Sequence, residues 1–313
     1  MRAKTVWFWI KTILIALFAA WFVRTFFIES YSIPACSMEN TLLAKDRIFV
    51  NKVAYGIRLP MTILSIPFCH DSLFGIKSYS SSPRLPYKRL FGESPERNDV
   101  VVFNNPTKNP GIPIDKQKVS IGRCVALPGD TLAFKDKIAY INGREVAQSP
   151  NIVEPYYYSN RYESQIAEKM CSLRIPNRGL TSVDNVNIRF LSRYETFLMQ
   201  QQLPDSVIVE VLRPTYSLII PAKGTKIKIT EENYHIYLPL IALIEGKSVT
   251  FQNDIFRIDE NRVDFYEFTL NYYWMLPDNR SNCLEITETA FIPETHIIGK
   301  ALYIWNRGFQ KIR

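Results

Sequence analysis

Histidine and cysteine are scarce in this 313-residue chain, which has three histidines and five cysteines. Cys36, Cys69, Cys124, Cys171 and Cys283 are odd in number, widely spaced and without a CxxC pair. That spacing excludes a dense disulfide framework and, with so few histidines, a zinc site, so no metal or cofactor is expected. Internal repeats and low-complexity tracts are also missing. With 47% hydrophobic and 22% charged residues, the composition is that of a folded chain long enough for one large or two modest domains. Acidic residues are absent from the first 28 positions, where Arg2, Lys4, Lys11 and Arg24 supply half of the net charge of +8. The remainder is too small a surplus to point to nucleic acid, and none is expected as a partner.

What the N-terminal region does have is a long apolar run. "VWFWIKTILIALFAAWFVRTFFI" extends from Val6 to Ile28. As a helix it would be about 35 Å long, enough to cross a bilayer. Lys11 and Arg24 bracket its apolar centre and Trp7, Trp9 and Trp21 suit the headgroup region. Arg2, Lys4 and Lys11 place the N-terminus in the cytoplasm, so the chain beyond about residue 30 is expected outside it, anchored to the cytoplasmic membrane by one span. Arg24, Phe26, Phe27 and Glu29 stand where a cleavable signal peptide would need small residues, and Pro34 in "IPAC" argues against a lipoprotein cysteine at Cys36.

Beyond the anchor the pattern is β. Runs rich in Val, Ile, Tyr and Phe recur at 47–55, 99–103, 137–143, 206–212 and 226–230, punctuated by nineteen prolines, and predict a mostly antiparallel sheet protein. Residues 156–204 break this pattern with two stretches at helical spacing, "RYESQIAEKM" and "SRYETFLMQQQL". The apolar segment "LPMTILSIPF" (59–68) holds Pro60 and Pro67 and is too short and interrupted to span a membrane. It reads as a buried loop or as an apolar rim at the lipid surface.

One strand carries an oddity. In "SIGRCVALPGD" (120–130), Gly122 sits within an extended run that ends in a Pro128-Gly129-Asp130 turn. A glycine inside a strand marks a bulge or a close approach by another chain segment. Around it, "YSIPACSMENTLLAKDRIFVNK" (31–52), "DVVVFNNP" (99–106), "RCVALPGDTL" (123–132), "YYWMLPDNRSN" (272–282) and "FIPETHIIGKA" (291–301) follow in order. In that order they resemble the boxes of bacterial type I signal peptidases, membrane-anchored serine endopeptidases, and the resemblance covers nearly the whole chain.

The resemblance implies a mostly β fold: an antiparallel catalytic core at 31–135 and 270–313, an inserted α+β domain at 136–269, and the anchor at 1–30. It implies signal peptides of exported precursors as partners, alongside the lipid bilayer. The family's nucleophile falls on Ser37, and its oxyanion region on Ala35 and Ser37, with Ala35 lacking the hydroxyl many members have. Asp130, Asp278, Asn279 and Arg280 match framework positions. The family's general base is a lysine just before the arginine that leads into the PGD turn. That arginine is Arg123 here, and the base position holds Gly122. Lys118 is four residues away, about 13 Å along a strand, too far for direct proton transfer. The final box departs again at Glu285, Ile286 and Thr287; the isoleucine cannot hydrogen-bond an amine and the threonine cannot pair with Glu285. Proteolysis is therefore expected to be lost or weak. Two other readings stay open: an active peptidase with a non-standard base, and a non-catalytic structural partner of an active signal peptidase or of the secretion machinery.

Overall fold

The computed structural model describes residues 2–32, 38, 41–43, 45–62, 72–73, 76–80, 85–106, 112–135, 138–146, 153–183, 185–204, 207, 209–210, 216–252, 255–278 and 291–312. Helix α1 (Arg2–Phe26) leads directly into strand β1 (Ile28–Ser32), followed by β2 (Arg47–Asn51), β3 (Val100–Asn104) and β4 (Val119–Ala126). Next come β5 (Thr131–Lys135), β6 (Ile138–Ile141), β7 (Val153–Ser159), α2 (Glu163–Ser172), β8 (Val186–Ser192), α3 (Arg193–Gln200), β9 (Tyr216–Ile219) and α4 (Tyr234–Leu243). The chain closes with β10 (Tyr272–Leu276), β11 (Phe291–Pro293), β12 (Ile297–Ile304) and β13 (Gln310–Lys311).

α1 is apolar all round and exposed from Thr5 to Ala20, which fits lipid rather than a protein core. Its segment Thr5–Phe26 is long and apolar enough to cross a membrane. The helix stops two residues short of the expected end because Ile28 pairs with Asn51, drawing the chain into the sheet. Chain and sheet are thus joined almost without a linker.

The fold is mostly β, as the sequence pattern predicts. The main sheet runs β1-β2-β12-β3-β4-β10-β11, with β13 on β12, and each neighbouring pair is antiparallel. Alternation along the strands sends side chains into two layers. Met38, Leu42, Ile48, Val50, Val100 and Ile298 pack on one face. Tyr55, Val101, Phe103, Cys124, Tyr273, Met275 and Ile297 pack on the other.

The chain between β4 and β10 builds further sheets. β5, β6 and β9 form one of them, and Leu132 and Leu218 share a core with Trp274 and Phe291 of the main sheet and with Tyr237, Leu240 and Ile241 of α4. β7 and β8 form another, with α2 and α3 against it over Tyr156, Ile166, Leu191 and Met199. Both expected helices are present. α3 starts in a capping box, Ser192 Oγ accepting from the Glu195 amide while Glu195 accepts from the Ser192 amide, an arrangement worth about 1 kcal/mol. The expected strand at 47–55 is cut to Arg47–Asn51 and a 3₁₀ turn at Val53–Tyr55, and of the one at 206–212 the described residues Val209–Glu210 are strand. Of the apolar segment 59–68, Met61 and Thr62 are buried, and residues 63–68 lie outside the described residues.

Candidate functional site

Strand β4 carries the residues that the motifs single out. Its neighbours are β3, paired along Val100–Asn104, and β10, paired only with Arg123, Cys124 and Ala126. The register on β10 steps between Trp274 and Met275, which leaves Val125 as the extra residue, so the bulge in β4 is there and not at Gly122. Gly122 lies opposite Val101 in continuous pairing, and its φ is not in the left-handed region.

Close approach does not demand a glycine there either. A Cβ on Gly122 would meet Leu276 O and Phe103 Cε1 at 3.4 Å and Met275 Cβ at 3.5 Å, close to ordinary contact. The position is a slot flanked by the side chains of Phe103 and Met275 and by the Leu276 carbonyl, and it has room for a Cβ. Phe103 and Met275 belong to the motifs "DVVVFNNP" and "YYWMLPDNRSN", where sequence reading gave them no separate role.

Next to the slot, Arg123 crosses to the end of β10. Its Nε donates to Asp278 Oδ1 at 2.9 Å and its Nη2 to Asp278 Oδ2 at 2.7 Å. The Asp278 hydrogen bonds raise the guanidinium above its ordinary value, outweighing its burial. Thr41 Oγ1 donates to the same carboxylate at 2.5 Å, and the Asp278 amide meets Met38 Sδ at 3.4 Å. Val153, the first residue of β7, donates its amide to Asp278 O at 3.2 Å. Asp278 therefore ties together the segment after α1, β4, β10 and β7. Thr41 follows the Ser-Met pair by three residues, and nothing in the sequence pattern marked it.

At the other end of β4, Gly129 adopts φ +86° in the turn, and Asp130 fixes it. Asp130 accepts from the Leu127 amide at 2.6 Å, from Asn142 Nδ2 at 2.8 Å and from Arg97 through both terminal nitrogens at 2.7 and 2.8 Å. Burial works to raise its pKa, but these donors outweigh it and leave it below the usual value.

The described titratable groups near position 122 are poorly placed to take a proton there. Lys300 shares its row across the sheet, through Val101, but two strand spacings, about 10 Å, separate them. Its Nζ is also held by Asp99 Oδ1 at 2.5 Å. Lys118 is exposed. Burial, with Asp99 nearby, pushes the Cys124 thiol up to about 12, so it stays protonated and inert. Ser37, Ala35, Asn279 and Arg280 lie outside the described residues, as do Glu285, Ile286 and Thr287. Among the described residues no cluster of His, Cys, Asp and Glu is arranged to hold a metal ion.

Comparison with known proteins converges on one family. The family described as "Signal peptidase, peptidase S26" matches residues 6–207. A signal peptidase I of Buchnera aphidicola subsp. Baizongia pistaciae is 25% identical over 297 residues, 94% of this chain and 75% of that protein. One from Buchnera aphidicola subsp. Acyrthosiphon pisum is 24% identical over 289 residues, 92% and 71% of the two chains. A signal peptidase I of Pseudomonas aeruginosa is 36% identical over 139 residues, 44% and 38% of the two.

Proposed function

The chain belongs to the signal peptidase family, peptidase S26, and from that membership we propose that it binds the signal peptides of exported precursors with lost or weak proteolysis. The carrying observation is the slot at Gly122: the Arg123–Asp278 pair beside it is in place, Phe103 and Met275 flank it beside the Leu276 carbonyl, and no amine enters it from the described residues. A neutral amine in such a setting would serve as a general base, because an apolar site disfavours its charged form. Without one, a serine at position 37 finds no base at this slot among the described residues.

Binding needs less than catalysis does. On its side away from β3, the Val119–Gly122 part of β4 pairs with no described strand. An extended peptide can add to such an edge through main-chain hydrogen bonds, with pockets for alternate side chains. In this reading α1 crosses the cytoplasmic membrane with its N-terminus inside, and the sheet faces signal peptides on the outer side. Residues 136–269 form an inserted module around the core of 31–135 and 270–313. Asp130, Asp278, Asn279 and Arg280 act as framework, with Ala35 and Ser37 in the oxyanion region.

The second reading, an active peptidase with another base, is disfavoured by the Lys300–Asp99 pair, which holds that amine on Asp99, two strands away from position 122. The two readings separate in detergent, with purified protein and its Ser37→Ala variant tested on a preprotein with a small-x-small cleavage site. Photo-crosslinking to a signal peptide without cutting is the expected result. Ser37-dependent cutting at a useful rate would overturn it, and absence of both cutting and crosslinking would leave the third reading, a structural partner.

A further inference from the structure

The junction between α1 and the main sheet holds a largely buried ammonium that touches both. Lys52, one residue past β2, aims its Nζ at Glu29 Oε2 at 2.6 Å and at the carbonyl oxygens of Arg24 and Thr25 at 3.1 and 3.4 Å. An ammonium has three donors, and all three are used. Two of the acceptors lie in the last turn of α1, where carbonyls lack intrahelical partners and a positive charge is favoured. Glu29, the third, also accepts from Arg24 at 2.9 Å and from Tyr31 Oη at 2.7 Å. The Lys52 amide donates to Phe27 O at 2.8 Å, bridging the single residue between helix and β1.

We infer that Lys52 is a clamp that fixes the direction in which the membrane helix leaves the sheet, and with it the height of the β4 edge above the bilayer. Its backbone and side chain grip Arg24, Thr25, Phe27 and Glu29, so each rotation about the junction breaks at least one of these contacts. Burial pulls the amine below the ordinary lysine value while Glu29 draws it back, so the two groups depend on each other. A peptide emerging from the membrane would then meet the edge at a set distance, which makes Lys52 a positioning residue. That consequence rests on the binding reading above; the clamp itself rests on the junction geometry.

The test uses the full chain in vesicles of phosphatidylcholine and phosphatidylglycerol, with a fluorophore ligated to the C-terminus and acceptor lipids in the headgroup layer. The native protein should give one narrow distribution of energy transfer. Lys52→Met should broaden it at least twofold, and speed amide exchange at Phe27 and Lys52 about tenfold while β4 and β10 keep their protection. Glu29→Gln, which leaves the two carbonyl contacts, should give an intermediate effect and carries the test if Lys52→Met does not fold. A distribution unchanged in both variants, or exchange raised equally throughout the sheet, would overturn the clamp. A signal peptide that crosslinks to neither native protein nor variant would instead sink the binding reading, with the clamp still judged by the distribution.

Discussion

Arg123 grips Asp278 with two nitrogens on two oxygens, joining the strand that carries Gly122 to the end of β10. The pair fixes the register at the slot: Arg123 lies opposite Leu276 and Asp278 follows two residues later. Its side chains are only 17% and 9% exposed, so the contact is poorly screened by solvent.

Removing one partner should therefore cost more than a surface ion pair would. Asp278→Asn leaves a guanidinium facing a neutral amide and also weakens the Thr41 bond, and a loss of about 3 kcal/mol is expected. Arg123→Lys keeps the charge but loses the paired geometry, for about 1–2 kcal/mol. Urea unfolding in detergent micelles measures both; equal midpoints for native and variant proteins would deny the pair its role.

Two glycines of the main sheet should respond oppositely to alanine. At Gly122 the new Cβ fits, and Gly122→Ala should stabilise the fold by about 0.5 kcal/mol through the unfolded chain. At Gly299 it would stand 2.4 Å from Asn51 O and 2.9 Å from Asn51 C, so the β2 backbone must move. Gly299→Ala should cost about 3 kcal/mol. Thermal unfolding of the two variants side by side gives the comparison, and a similar loss in both would mean that the slot at 122 is closed.

His296 offers a pH test. Burial, helped by Arg58, lowers its pKa from 6.5 to about 3, and Thr295 Oγ1 lies 2.9 Å from its Nδ1. Between these values the unfolded chain takes up a proton that the folded one refuses. Stability from this group is whole above about pH 6.5 and falls by about 1.4 kcal/mol per unit as pH drops toward 3. His296→Gln should flatten that part of the profile. An unaltered slope would show that other groups set the acid response.

Much of this was legible in the sequence because turn chemistry and alternation are local. The Pro128-Gly129-Asp130 turn, the strand before it, and α2 and α3 could be read from a few residues each, whereas β7 and β8 fall where the sequence reading saw a break in the β pattern. Gly122 was harder: a glycine in a strand signals a bulge or close approach, and the structure puts the bulge at Val125 and the close approach at Gly299. α4 was hidden by Pro239, a helix breaker that burial of Tyr237, Leu240 and Ile241 offsets. Lys52 gave no signal, since its acceptors on α1 lie 27 and 28 residues away and only the β1–β2 pairing brings them close.

The sharpest test of the slot is to put an amine into it. Gly122→Lys should fold, because Cβ is accommodated, and the rest of the side chain starts between Phe103 and Met275. Those walls should hold the amine's pKa well below about 10.4, so that a useful fraction is neutral near pH 8. Cleavage of a preprotein should then rise at least tenfold over the native chain, with a basic limb in its pH profile that reports the new amine. The rise must vanish in Ser37→Ala/Gly122→Lys; if it persists, the nucleophile is not Ser37. If Gly122→Lys folds and binds signal peptide but cuts no faster, the missing lysine is not sufficient to explain the loss. Glu285, Ile286 and Thr287 would then be the next positions to restore, since an amine without a hydrogen-bonding neighbour to orient it stays a poor base.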